Sequence, residues 1–233
     1  MTTPQIMYSD RDLIVINKPP GMPIHGGDSV SGKTLVDWLH QKFPELRNVG
    51  DDLSRPGIVH RLDKNTSGVM MVARNQKSYD ALKLLFKNRL VEKTYRAIVC
   101  RTPKTRSGVI NLPIGRSARN PTKRGVEKGR SELRGAREAL TEYRVLKTKG
   151  GYSLLELRPK TGRMHQLRVH ATAIGHPVAC DTKYGGKNVC CPEGARRQLL
   201  HAQSLSFSFP EGRRLRFEAE PPSDFALAAK KIF

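Results

Sequence analysis

Short apolar runs and stretches of helical periodicity alternate irregularly along this chain of 233 residues. The runs Leu13–Ile16 and Val69–Ala73 are continuous and apolar, which is typical of buried strands, and the first ends at Pro19-Pro20-Gly21. Apolar and polar residues alternate from Thr94 to Val99 and from Tyr152 to Arg158, so strands with one buried face are predicted there. The last two strands are predicted at Ser204–Phe209 and Arg214–Ala219.

Three helices are predicted from capping and stop signals. Thr34 with Asp37 resembles a capping box, and Asn75 is a second N-cap candidate. A third helix runs from about Arg163 to Ile174, where Gly175 supplies the stop. Their predicted apolar stripes are Leu35, Val36, Leu39 and Phe43; Tyr79, Leu82, Leu85 and Phe86; and Met164, Leu167, Ala171 and Ile174.

The mixture of adjacent strands and separate helices predicts an α+β fold in one domain, residues 1–233, with no internal repeat or linker. No apolar run approaches the roughly 20 residues that a transmembrane helix needs. The N-terminus lacks a signal-peptide core, so we expect a soluble, cytoplasmic and monomeric protein. Its four cysteines, Cys100, Cys180, Cys190 and Cys191, form no CxxC, so free thiols in a reducing compartment are expected.

Charge narrows the choice of partner. Lys and Arg total 42 against 21 Asp and Glu, a formal net charge of +21. Such an excess attracts polyanions, and it favours nucleic acid over a membrane, because no basic amphipathic helix with an aromatic face is present.

Residues 101–137 have the weakest hydrophobic pattern, and we expect long loops around one short strand near Val109–Leu112. An RNA-gripping arm and a solvated insertion both explain this segment. Its basic residues are Arg101, Lys104, Arg106, Arg116, Arg119, Lys123, Arg124, Lys128, Arg130, Arg134 and Arg137.

Two segments are candidates for chemistry. In the first, an apolar strand at Ile58-Val59 is expected to lead into a polar turn with Asp63 at the junction, a good position for a catalytic group. Arg61 and Asp63 lie two apart and can share a face. Spacing alone nevertheless favours Asp63 as a cap of the turn with Thr66 or Ser67.

The second segment is the third predicted helix. Arg168 borders its apolar stripe, and a half-buried arginine needs an anionic partner, either a phosphate or a carboxylate. His165 and His170 lie five apart, which is poor spacing for a shared metal, so we expect hydrogen-bonded structural histidines and no metal site.

Four stretches of the sequence resemble known motifs. The resemblance lies in the residues themselves and is not apparent from their spacing alone. HRLDKNTSG, EKTYRAIV, KTGRMHQLRVHATAIGHPVACDTKYGG and LLHAQSLSF resemble, in order and spacing, the motifs of the RluA family of RNA pseudouridine synthases. The resemblance extends from about Ile14 to Pro222. It implies the pseudouridine synthase fold, with a central mixed, mostly antiparallel bent sheet flanked by helices and loops.

By that resemblance, Asp63 is the catalytic aspartate, Tyr95 packs against the target base, and Arg168 pairs with the aspartate. Leu200 would line the base pocket, and Arg61 would contact RNA near the target nucleotide. Other substrate-binding candidates are His60, Thr66, Arg163 and His165, and Arg116, Arg119, Lys123 and Arg124 are candidates for the RNA backbone.

The resemblance also implies partners. The substrate would be tRNA, rRNA or both, and no metal or organic cofactor would be needed. Many members carry an N-terminal S4 domain, but here the catalytic pattern begins near Ile6 to Lys18, so recognition is expected from the catalytic domain alone. The rival expectations are a non-catalytic RNA-binding protein on the same fold and a base-excising hydrolase.

Overall fold

The computed structural model describes residues 3–26, 32–127, 133–209 and 212–233. The chain forms two compact units, and the prediction of a single domain stays a prediction. Unit 1 comprises Met1–Glu92 and Ala202–Pro221, and unit 2 comprises Lys93–His201 and Pro222–Phe233.

The strands and helices follow one another irregularly, as expected of an α+β chain. The strands are β1 (Gln5–Ser9), β2 (Leu13–Lys18), β3 (Ser67–Ala73), β4 (Glu92–Cys100), β5 (Ser107–Asn111), β6 (Ile114–Ser117), β7 (Arg124–Val126), β8 (Leu133–Arg137), β9 (Leu140–Lys149), β10 (Tyr152–Pro159), β11 (Leu200–Ser208) and β12 (Arg214–Glu218). The helices are α1 (Leu35–Lys42), α2 (Gln76–Lys87), α3 (Gln166–Ala173), α4 (Thr182–Gly185) and α5 (Ser223–Ile232), with a 3-10 helix at Pro44–Asn48.

Unit 1 is built on the strand order β1-β2-β3-β11, with β12 paired to β11. Strand β2 pairs antiparallel with both β1 and β3, and every residue of β3 is buried. The capping box expected at Thr34 and the N-cap expected at Asn75 are confirmed, since each side chain accepts a hydrogen bond from the backbone three residues later, and Asn75 also forms a capping box, with Ser78. Two local sequence signals therefore fix the starts of α1 and α2.

Unit 2 contains the antiparallel strand order β4-β10-β9-β5. The predicted buried face of β4 is confirmed, because Ala97 and Val99 belong to an apolar cluster with Leu155 and Leu157 of β10. Helix α3 adds Leu167 and Ala171 to the same cluster. This cluster fixes the positions of both β4 and α3.

The segment 101–137 is more regular than expected. Besides β5, it contributes three strands to a small antiparallel sheet in the order β7-β6-β8. The expectation of long loops was wrong. Gly115 and Gly125 resemble loop residues in sequence, but both lie in strands. The Leu133 side chain packs against them, because a Cβ on either glycine would be only 3.0 Å from it. Lys128 and Arg130 lie outside the described residues.

Helix α3 is shorter than predicted. His165 adopts a left-handed backbone conformation with φ of 58°, so the helix begins only at Gln166. Met164 therefore lies before the helix and is 42% exposed, and its predicted place in the buried stripe was wrong. The predicted stop is present, because Gly175 has φ of 87°.

The expectation of free thiols was also wrong. The structure pairs Cys100 with Cys190 and Cys180 with Cys191, so the adjacent cysteines reach two different partners rather than each other. Sequence spacing hid this arrangement because one pair spans 90 residues. The inference of a reducing compartment, which rested on free thiols, loses its support. No helix in the described part of the chain is long and apolar enough to cross a bilayer.

Candidate active site

Asp63 lies in an irregular segment of unit 1 rather than at the end of a strand. The predicted strand at Ile58-Val59 was wrong: Ile58 makes only an isolated bridge to Val72. Asp63 is half-buried, and its carbonyl oxygen accepts a hydrogen bond from the Thr66 N–H at 3.0 Å. A main-chain hydrogen bond thus closes the turn, and the role of the Asp63 carboxylate stays a prediction.

A buried lysine that the sequence analysis missed donates a hydrogen bond to the backbone of the turn. Lys18 is fully buried at the end of β2, and its ammonium donates to the carbonyl oxygens of Pro19, Met22 and Lys64 at 2.8 to 3.1 Å. Lys64 follows Asp63 directly, so this contact ties the turn to β2. The signal available in the sequence was a lysine placed between an apolar strand and Pro19-Pro20.

Strand β3, which follows the turn, packs closely against β11. Gly68 has φ of 118°, and a Cβ there would lie 2.2 Å from the carbonyl oxygen of Ala202 in β11. Only glycine allows β3 to approach β11 at this point. Thr66 is buried, and its hydroxyl has no hydrogen-bond partner among the described residues.

His60 and Arg61 border a cavity of about 200 Å³, which Ile24, His25 and Arg55 also line. The His60 Nε2 accepts the Met71 N–H at 3.0 Å, so its proton is on Nδ1, and its ring stacks on Phe86 with centroids 4.7 Å apart. Arg61 is exposed. The histidine is therefore fixed by the fold, whereas the side chain of Arg61, two residues before Asp63, is exposed to solvent.

Tyr95 and Leu200 belong to one apolar surface of unit 2. Tyr95 is the cross-strand partner of Leu157 and packs, partly buried, against the cluster that contains Leu200. Lys93 lies two residues before Tyr95, hence on the same face of β4, and burial lowers the pKa of Lys93. A flat ring and a buried leucine thus share one surface, as the resemblance implies.

Arg168 has an anionic partner, as its half-buried position predicted, and this partner is a carboxylate. It is 6% exposed, and it forms a bidentate pair with Asp181, Nε to Oδ2 at 2.7 Å and an NH2 to Oδ1 contact of 2.8 Å. Its guanidinium also lies 5.0 Å from the centre of the Tyr184 ring. Sequence reasoning missed Asp181, although it lies in the same quoted motif. The pairing of Arg168 with Asp63 stays a prediction.

Tyr184 connects the loop after α3 to the small sheet. Its hydroxyl lies 2.6 Å from His165 Nδ1 and accepts the Arg124 N–H of β7 at 3.1 Å. Arg163 donates through Nε to the carbonyl oxygen of Glu138 at 2.9 Å. Two substrate-binding candidates, His165 and Arg163, therefore also hold neighbouring segments in place, and their contact with substrate stays a prediction.

His170 is a structural histidine, as expected. It is completely buried, and it bonds through Nε2 to the Leu112 carbonyl oxygen and through Nδ1 to the Thr141 hydroxyl, each at 3.0 Å. Desolvation lowers the pKa of His170, so the neutral ring is favoured. The carbonyl must receive a proton, so Nε2 carries the hydrogen and Nδ1 accepts from Thr141.

The four RNA-backbone candidates lie in or beside the small sheet. Arg116 is exposed on β6, Arg124 is half-buried on β7, and Arg119 and Lys123 lie in the connection between them. In the described part of the chain, no group of three or more His, Cys, Asp or Glu side chains is placed to hold a metal ion.

Comparison with known proteins gives one consistent result. Residues 12–173 match the family model described as RNA pseudouridylate synthase. An uncharacterised RNA pseudouridine synthase from Synechocystis is 41% identical over 88% of this chain, which spans 61% of that relative's length. The ribosomal large subunit pseudouridine synthase D of Zymomonas mobilis is 37% identical over 98% of this chain and 72% of its own length.

Solved structures agree with the sequence relatives. The human RNA Pseudouridylate Synthase Domain Containing 1 matches with a TM-score of 0.77 and 30% identity, over 94% of this chain and 84% of its own. The human RNA Pseudouridylate Synthase Domain Containing 4 also gives a TM-score of 0.77, over 97% of this chain. The predicted α+β fold of this class is confirmed.

Proposed function

Because the chain belongs to the RNA pseudouridylate synthase family, we propose that it isomerises uridine in RNA to pseudouridine, with Asp63 as the catalytic carboxylate. The observation that carries the proposal is the family match over residues 12–173, which includes Asp63, Tyr95 and Arg168. The reaction breaks the N1–C1′ bond, turns the base, joins C5 to C1′ and releases the C5 proton. It is a redox-neutral rearrangement without a group donor.

The Asp63 turn is suited to this reaction because a main-chain hydrogen bond closes it and Lys18 ties it to β2. An ionised carboxylate can attack C1′, add to C6 or remove a proton from C2′. Each route needs a charged oxygen beside the sugar of a flipped-out nucleotide, and extrusion of that nucleotide costs a few kcal/mol. The rigid support from Lys18 and Gly68 fixes the position of the turn before RNA arrives.

Arg168 and Tyr95 have complementary roles in the proposal. A buried guanidinium beside the catalytic carboxylate would stabilise its charged form, and Asp181 fixes the plane of that guanidinium in advance. Tyr95 would supply a flat face for a base that turns while held, with Leu200 beside it in the apolar surface. His60, Arg61, Thr66, Arg163 and His165 would contact the neighbouring nucleotides.

The substrate class is proposed as structured RNA, either tRNA or rRNA. The name of the Zymomonas relative refers to the ribosomal large subunit, which supports rRNA as the first pool to test. Loops in RNA are the expected targets because their bases are already partly unstacked. We propose that the enzyme works without a metal or organic cofactor, as a monomer in the cytoplasm.

Release of tritium from RNA labelled at uridine C5 tests the activity. We expect tritium release without free uracil from wild-type protein, and none from Asp63→Asn. Asp51→Asn serves as the matched control, because Asp51 is exposed and ion-paired with Lys83 away from the turn. Release of free uracil would identify a hydrolase, and RNA binding without any tritium release from any RNA pool would identify a non-catalytic binding protein.

A further inference from the structure

Three arginines lie side by side across the small sheet of unit 2. Arg116 in β6 is the direct partner of Arg124 in β7 on one side and of Arg134 in β8 on the other. Directly opposed residues on neighbouring strands point to the same face, and the strands lie about 4.8 Å apart. The sheet thus places three cationic side chains, here called the arginine row, within about 10 Å of one another.

The arginine row has little internal compensation. Like charges directly opposite each other destabilise a sheet. The ion pairs formed within the described part of the chain include no member of the row, and Arg116 and Arg134 are exposed. Only Arg124 uses its guanidinium locally, donating to the carbonyl oxygens of Pro121 and Lys123 at 3.1 Å.

A cavity lies beside the row. It has a volume of about 350 Å³ and is lined by Arg116, Ser117, Ala118, Pro121, Arg134 and Gly135. Small-ligand sites in proteins are clefts of this size with a few placed polar groups. Two exposed guanidinium groups on its wall make an anionic occupant the favoured one.

The row faces the same side of the small sheet as the residues that pack on α3. Ile114 and Val126 lie two residues from Arg116 and Arg124, so their side chains share that face. Ile114 and Val126 belong to an apolar cluster with Val169 of α3. The arginine row therefore extends the surface that meets the helix carrying Arg168.

We propose that the arginine row is a phosphate-binding subsite that holds consecutive phosphodiesters of the RNA strand. Guanidinium groups bind phosphate oxygens through paired, charge-assisted hydrogen bonds, and three in register suit an extended backbone better than one isolated anion. The inference rests on the proposed function for its ligand, since RNA is the substrate of that reaction. It adds Arg134 to the basic candidates and gives Arg116 the central position.

Salt-dependent RNA binding tests the subsite separately from catalysis. The probe is a short fluorescein-labelled RNA hairpin with uridines in its loop, and all proteins carry Asp63→Asn so that no turnover occurs. The test protein adds Arg116→Gln and Arg134→Gln. The matched control adds Arg144→Gln and Arg158→Gln, which remove the same charge from two arginines that are 61% and 54% exposed but already paired with Glu156.

We expect the slope of log affinity against log salt to flatten by about two units in the test protein and by less than one in the control. An unchanged slope in the test protein, or an equal fall in the control, would overturn the subsite. Thermal melting of both variants verifies folding. The tritium assay on proteins with intact Asp63 is independent: its failure would refute the synthase activity while a flattened slope would still establish the row as an RNA contact.

Discussion

Unit 2 contains two rows of directly opposed residues, each running across three neighbouring strands. The two rows differ in the residue on the central strand. In the larger sheet, Glu156 of β10 lies between its direct partners Arg96 of β4 and Arg144 of β9. It also receives Arg158 from its own strand, and the three arginines approach its carboxylate at 2.9 to 3.3 Å. In the small sheet, the central position holds Arg116.

The difference shows how a basic protein holds one group of arginines in ion pairs while another group, in the described residues, has no carboxylate partner. The side chain of the central Glu156 is only 7% exposed, and its carboxylate forms ion pairs with the arginines on both neighbouring strands. A central guanidinium offers its neighbours no carboxylate: Arg116 and Arg134 are exposed, and Arg124 donates to backbone carbonyl oxygens instead. A net charge of +21 alone does not distinguish the two groups, but strand register does.

The largest expected effect comes from Glu156→Gln. Removing the carboxylate leaves three arginines without their shared partner and puts an amide in a buried position, so we expect the free energy of unfolding to fall by about 2–3 kcal/mol. Urea denaturation measures the loss. A cost below about 1 kcal/mol would show that the arginines find solvent without penalty, and the contrast between the two rows would then lose its energetic basis.

A smaller loss is expected for Tyr184→Phe. The variant keeps the ring under Arg168 but loses the hydroxyl that accepts the Arg124 N–H and bonds His165. The lost bonds of these partly buried groups cost about 1 kcal/mol. Urea denaturation and the tritium assay together are informative here. We expect kcat to fall more than the affinity for RNA, because the hydroxyl positions α3 and β7 without touching phosphate. An equal loss in the distant Tyr152→Phe variant would contradict this role.

Arg116→Glu should stabilise the protein, whereas the two preceding substitutions destabilise it. A carboxylate between Arg124 and Arg134 recreates the arrangement around Glu156, and opposite charges on neighbouring strands stabilise a sheet by about 0.2–1 kcal/mol per pair. We expect a higher melting temperature together with weaker RNA binding. A lower melting temperature would show that Arg116 supports the sheet itself.

The smallest effect is expected from Arg144→Gln. Arg144 is 61% exposed, and Glu156 retains Arg96 and Arg158, so the change in unfolding free energy should stay within about 0.5 kcal/mol. Denaturation of this variant beside Glu156→Gln separates the contribution of the carboxylate from that of one exposed partner. A loss as large as that of Glu156→Gln would mean that the row acts as one inseparable unit.

The sequence predicts local features of this molecule well. The capping box at Thr34, the N-cap at Asn75 and the helix stop at Gly175 are confirmed, because each depends on a few neighbouring residues. The motif around Asp63 identified the family, although the expected strand before it is an irregular segment. The sequence pattern does not show that the Lys18 ammonium bonds the carbonyl oxygen of Lys64, which lies 46 residues away and directly follows Asp63.

Features that depend on register or on long-range pairing were missed. Asp181 meets Arg168 across 13 positions, and the disulfide partners of Cys190 and Cys191 lie on separate segments. The hydrophobic pattern does not specify which strand faces which, so neither the central Glu156 nor the central Arg116 was recognisable. Helix α5 was not predicted, although Phe225 and Ala228 anchor it in an apolar cluster.

The discontinuity of unit 1 has a consequence for synthesis. The fully buried strand β3 lies next to β11 in the finished sheet, yet the ribosome makes all of Lys93–His201 before β11 emerges. At roughly 5–20 residues per second, that interval lasts about 5–20 s. For this time the nascent chain carries the apolar sequence Ser67–Ala73 with one unpaired edge, which is the kind of surface that holdase chaperones bind and that aggregating chains share.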